Sequence, residues 1–93
     1  MPDTDKTFTV AGIERVQGSA VIASFRPMNV ATGCTLPYRV LLLAPGGRFR
    51  EWVVASLPDG SPEWGTGTYR SDYSAAWETY VERCESHHNR VNA

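Results

Sequence analysis

The stretch CESHHN, residues 84–89, sets a thiol three residues before His87 and four before His88. On a helix those spacings stack side chains on one face. A thiol beside an imidazole is the pairing of a cysteine nucleophile with its base. The same atoms are donors that zinc accepts, but a zinc site needs about four ligands. Cys34 would have to complete the set, and it stands alone in its own loop with no CxxC or HxxxH pattern nearby. Cys84, His87 and His88 are therefore weak metal candidates, and no cofactor is implied. The plainer reading is that Cys84 fills the centre of an apolar helical stripe, as free cysteine commonly does. A Cys34–Cys84 disulfide is geometrically open, but a reducing compartment argues against it. The chain has no GxSxG, HExxH, P-loop or GxGxxG, and GTGT at 65–68 lacks the lysine of a phosphate loop. Catalysis is not expected.

The element that would carry these groups is a C-terminal helix. Ser71 or Asp72 can cap it, and Asp72 suits the positive end of its dipole. At 100° per residue, Tyr73, Ala76, Trp77, Tyr80, Val81, Cys84, His87, His88 and Val91 share one side, with Glu78, Thr79, Glu82, Arg83, Glu85, Ser86 and Asn89 opposite. Ahead of it lie strand patterns. FTVAGIERV (8–16) and SAVIASFR (19–26) flank a tight turn at Gln17–Gly18. YRVLLLA (38–44) and RFREWVVAS (48–56) flank Gly46–Gly47, a pair suited to a hairpin. Residues 27–37 and 57–69 hold the prolines and glycines of loops. The expected fold is α+β: a four-stranded antiparallel sheet of two hairpins, with one amphipathic helix packed on one face.

The whole chain bounds the rest. Its 93 residues, 42% hydrophobic and 20% charged, suit one small globular domain over 8–91 behind a flexible tail at 1–7. No run approaches the roughly 20 apolar residues that span a bilayer. MPDTDKT is not a signal peptide, so the expected compartment is the cytoplasm. The net charge of -1 hides a segregation. From Phe8 to Ser56 five arginines outnumber two glutamates, and from Leu57 to Ala93 six acids outnumber three arginines.

Pairing the strands about the two turns yields a functional expectation. With Gly46–Gly47 as the turn, Leu42 faces Glu51 and Val40 faces Val53 on one side, while Leu41 meets Trp52 and Leu43 meets Arg50 on the other. The inner face then holds Phe8, Val10, Val21, Ala23, Phe25, Val40, Leu42, Phe49 and Val53. Trp77, Tyr80, Val81 and Cys84 pack on it from the helix. Glu51 falls among these apolar groups, where a carboxylate would need a partner. All five sheet arginines (15, 26, 39, 48 and 50) fall on the outer face with Ile13, Ile22, Leu41, Leu43 and Trp52. One helix covers one face, so this outer face would be an interaction site. Tryptophan and arginine are the commonest interface anchors. The expected site is Arg39, Leu41, Leu43, Arg48, Arg50, Trp52 and Trp64. Its expected partner is a protein or a second copy of the chain, with nucleic acid as the alternative. The competing arrangement has the long loop fold back over this face, with Trp64 as its plug, or the strands curl into a partial barrel. A small accessory or inhibitor protein, of the kind mobile elements carry, would suit this architecture.

Overall fold

The computed structural model describes residues 7–10 and 12–93, the first strand by its backbone alone. The tail assigned to 1–7 lies outside the described residues, except that Thr7 begins a strand. Six strands run in chain order: β1 (Thr7–Val10), β2 (Ile13–Val16), β3 (Ser19–Phe25), β4 (Tyr38–Leu43), β5 (Trp52–Pro58) and β6 (Gly67–Arg70). The helix α1 (Tyr73–Val91) follows. The strands form one antiparallel meander in which each pairs with its sequence neighbour. The class is α+β with a C-terminal helix, as expected.

The strand count is not four. The run 8–16 folds on itself, with Val10 opposite Ile13 and Gly12 at φ 79°. Glycine takes that left-handed backbone without a Cβ penalty. The long loop after β5 also ends in a strand, β6, which pairs Trp52 with Arg70. Five strands, β2–β6, carry described side chains.

The turn at Gln17–Gly18 forms as read, both residues at positive φ (53° and 88°), with Val16 opposite Ser19. The second hairpin differs. Gly46 and Phe49 exchange backbone hydrogen bonds at 2.9 Å, so the turn residues are Gly47 and Arg48. Arg50 and Glu51 then leave the ladder, and β5 resumes at Trp52. Leu42 consequently faces Val54 instead of Glu51, and Leu43 faces Val53. Moving a partner by an odd number of residues exchanges the faces of a strand. Trp52 and Val54 therefore lie on the helix side, and Phe49 and Val53 on the other. In β3 the register shifts between Val21 and Ala23, so those two also part company. Val21 packs with the far cluster, while Ala23 and Phe25 pack toward the helix. The side chains of Phe8 and Val10 lie outside the described residues.

Both faces of the sheet are buried. Under α1 lie Val40, Leu42 and Val54 with Ala76 and Tyr80 of the helix. On the opposite face Val16, Leu41, Leu43, Val53, Ala55 and Leu57 close around Trp64. Leu41, Leu42, Leu43, Val53 and Val54 are all 0% exposed. Each of these strand cores reads as an unbroken apolar run, VLLL and VVA, which is the pattern of a strand covered on both sides. The loop form of the competing arrangement therefore holds: the 57–69 loop folds back over this face, Trp64 plugs it, and Val16 of β2 joins the same cluster. Phe49 packs tilted against the plug, ring centres 4.9 Å apart.

Candidate binding surface

Asp72 caps α1, its carboxylate accepting from the Ala75 backbone N–H at 2.8 Å. The helix lies across β4, β5 and β6. On its β5/β6 flank, Arg83 donates to the Val54 carbonyl (2.8 Å) and Arg70 donates from Nε to the Thr79 hydroxyl (3.0 Å). At its C-terminal end the Tyr38 hydroxyl and His87 Nδ1 lie 2.6 Å apart. Asn92 then joins the helix to the 27–37 loop: its Nδ2 donates to the Met28 and His88 carbonyls, and its Oδ1 accepts from the Val30 N–H.

The apolar stripe of α1 is wider than the sheet beneath it. Ala76 and Tyr80 are buried, and Cys84 is half-buried. Tyr73, Trp77 and Val81, each four residues from the next, remain 48%, 43% and 36% exposed. Trp77 and Val81 were expected in the core; they form an open flank instead. Trp52 extends this row at its start, its ring 5.0 Å from that of Tyr73. Tyr73 is 6.3 Å from Trp77, and Trp77 is 5.4 Å from Tyr80. The flank turns toward β3, where Phe25, Cys84, Glu85, His88 and Asn89 line a shallow groove of about 290 Å³.

Three glutamates follow the outer border of the row. Glu78 lies three positions before Val81, and Glu85 four after it, so both neighbour it on the helix surface. Glu82 stands beside them. None makes an ion pair among the described residues.

The residues expected to form one exposed sheet face are dispersed. Leu41 and Leu43 are core. Trp64 is 8% exposed and buried with them. Trp52 is on the other side of the sheet, against Tyr73. Arg39 is tied bidentately to Glu14 at 3.0 and 2.6 Å. Only Arg48 and Arg50 stand exposed, together with Glu51, in the segment before β5. The flank of α1 went unread because the helical periodicity marks an apolar side without saying how much of it a sheet will cover. The available signal was excess: three aromatics and a valine on that side exceed what a narrow contact needs.

Among the described residues no hydrogen bond joins Cys84 to either histidine of CESHHN, although Cys84 and His88 line the same groove. Cys84 neighbours the Tyr80 hydroxyl, and burial pushes its thiol pKa up, with Glu85 adding to the rise. A raised pKa removes thiolate and suits a structural cysteine. Burial likewise pushes up the Tyr80 phenol. His87 turns to Tyr38 and His88 to Asn92. Among the described residues no three His, Cys, Asp or Glu groups gather as a metal site. A second concavity of about 240 Å³ is lined by Arg39, Leu57, Pro58, Asp59, Gly60, Ser61 and Pro62. Its charges are already satisfied: Arg39 by Glu14, and Asp59 by Arg26 at 2.8 and 3.0 Å. Glu14 holds its carboxyl below the usual range through Arg39, and Asp59 through Arg26. No described helix is long and apolar enough to cross a membrane. Compared with family models, curated proteins and solved structures, the chain matches none.

Proposed function

We propose that the protein is a small non-enzymatic binding module that acts on a protein partner through the exposed flank of α1. One observation carries this reading. Tyr73, Trp77 and Val81 form a continuous exposed row, continued by Trp52, in a fold whose sheet is covered on both faces. Burying the Trp77 ring alone would remove more apolar area from water than most side chains can offer. Contiguous exposed apolar surface of this kind marks interaction sites. An accessory or inhibitory role fits such a surface, and the free thiols of Cys34 and Cys84 fit a reducing compartment such as the cytoplasm. Nucleic acid is the weaker reading, because three glutamates border the helical row and a single arginine, Arg70, stands beside Trp52 at its start.

The test is a comparison of two exposed-residue variants. The wild-type chain, Trp77→Ala and Arg50→Ala are each used to retain partners from source cells, and the retained partner is purified and titrated against all three. The reading expects Trp77→Ala to weaken binding at least about tenfold, as for a central interface tryptophan, and Arg50→Ala to leave it unchanged. Equal binding by the two variants would refute it.

A further inference from the structure

The same flank specifies the chemistry of what it would bind, an inference that rests on the proposed function above. The apolar row of Tyr73, Trp77 and Val81 is bordered along its solvent side by Glu78, Glu82 and Glu85, none of them ion-paired among the described residues. The cations of α1 do not offset this border: Arg83 is drawn to the Val54 carbonyl on the opposite flank, and Arg90 lies at the last turn. Past Val81 lies the groove lined by half-buried Phe25 and Cys84 and by exposed Glu85, His88 and Asn89. An apolar lining beside a carboxylate accepts a side chain with an aliphatic stem and a cationic head, as lysine and arginine have.

We infer that the partner of this flank is a cationic amphipathic helix. Its apolar residues lie along Tyr73, Trp77 and Val81, its lysines or arginines face the glutamate border, and one basic side chain enters the groove beside Glu85. An α-helix of about 15 residues, about 22 Å long, matches the run from Tyr73 to the groove. A second copy of the chain fits less well. Two-fold antiparallel packing of two α1 flanks would set both glutamate rows on the same side, where like charges repel.

The test uses the full chain at neutral pH and low salt, with two dye-labelled 18-residue probes followed by fluorescence anisotropy. One probe is a leucine/lysine amphipathic helix, and the other is its leucine/glutamate counterpart. The lysine probe is expected to bind, the glutamate probe to fail, and the Trp77 indole N–H to shift in a proton–nitrogen correlation spectrum while Trp64 stays in place. The Glu78→Gln/Glu82→Gln/Glu85→Gln variant should weaken lysine-probe binding about tenfold, and 0.5 M salt should weaken it further. Glu51→Gln, exposed and not on α1, should weaken it far less. Absence of lysine-probe binding, equal binding of the two probes, or an equal loss from Glu51→Gln overturns the inference. So does a Trp77-dependent dimer in sedimentation, which would assign the flank to a second copy. If a partner needs Trp77 but is not cationic, the inference falls and the proposed function stands. If no partner needs Trp77, both fall.

Discussion

His87 shows how a residue that looks chemical in sequence becomes structural in place. Its Nδ1 meets the Tyr38 hydroxyl at 2.6 Å, joining the end of α1 to the start of β4. Burial depresses its pKa below 6.5, and Arg90 and Arg83 depress it further. The contact forms with either tautomer, so the depression comes from burial and from the two arginines. The folded state therefore favours neutral His87. Its contribution to stability is full above the unfolded value of 6.5 and is lost as pH falls from there through the lower folded value. Urea unfolding at pH 7.5 and pH 5.5 should show a loss of stability in the wild-type chain and a smaller loss in His87→Gln. Glu14 and Asp59, held below the usual carboxylate range, act at lower pH and leave that window clear. An identical pH dependence in both chains would show that His87 carries no such linkage. The helical neighbourhood of Cys84, His87 and His88 was legible in CESHHN, because spacing fixes angle on a helix. Tyr80, four positions before Cys84, was legible for the same reason; Tyr38 and Asn92 were not, because their contacts depend on packing and on where the helix ends.

At the scale of elements, the cap, the helix and the strong strands were readable from local chemistry, and the register was not. Asp72 and the alternating periods did what their types predict. The β4–β5 turn moved by one residue and two further residues left the ladder, which sufficed to send Trp52 to the other face. Nothing in PGGRFREW distinguishes those arrangements, since either glycine can occupy a turn. The determinant is tertiary: this turn packs against the tip of the β2–β3 hairpin. A Cβ on Gly47 would lie 2.6 Å from the Gln17 carbonyl oxygen, and one on Gly18 would lie 2.9 Å from the Gly47 Cα. Ser19, fully buried, donates to the Gly46 carbonyl at 3.3 Å across the same junction. Gly47→Ala meets both a backbone clash and a positive φ of 58°. It should cost about 2 kcal/mol or more, whereas Gly33→Ala, at positive φ but with open space around it, should cost only about 1 kcal/mol. Denaturant midpoints of the two variants check the order; equal costs would mean the two turns do not constrain one another.

For the whole molecule, the decisive fact is a sheet covered twice, by α1 on one side and by the Trp64 loop and β2 on the other. The tryptophans divide accordingly. Trp64→Ala should lose about 3–5 kcal/mol, as large aromatic truncations in cores do, and the half-covered Trp77→Ala clearly less, about 1–2 kcal/mol. Thermal unfolding distinguishes them, and a large loss from Trp77→Ala would return that ring to the core. The apolar runs VLLL and VVA already signalled two-sided burial, and the alternation imposed on them by hairpin pairing obscured it. The charge segregation survives into the fold in a different form: Arg26 and Arg39 pair with Asp59 and Glu14, while Glu78, Glu82 and Glu85 of α1 make no ion pair among the described residues. The meander also orders events in time. Every strand hydrogen-bonds to the one beside it in sequence, so each step of sheet growth closes only a short length of chain, and local closure is fast. α1 has no such neighbour beyond β6 and must swing back across β4 and β5. Refolding in which the strand signal leads and the docking of the helix follows is the kinetic signature of that layout. An interval of that kind would leave the surface that Ala76 and Tyr80 later cover open to solvent and prone to aggregation.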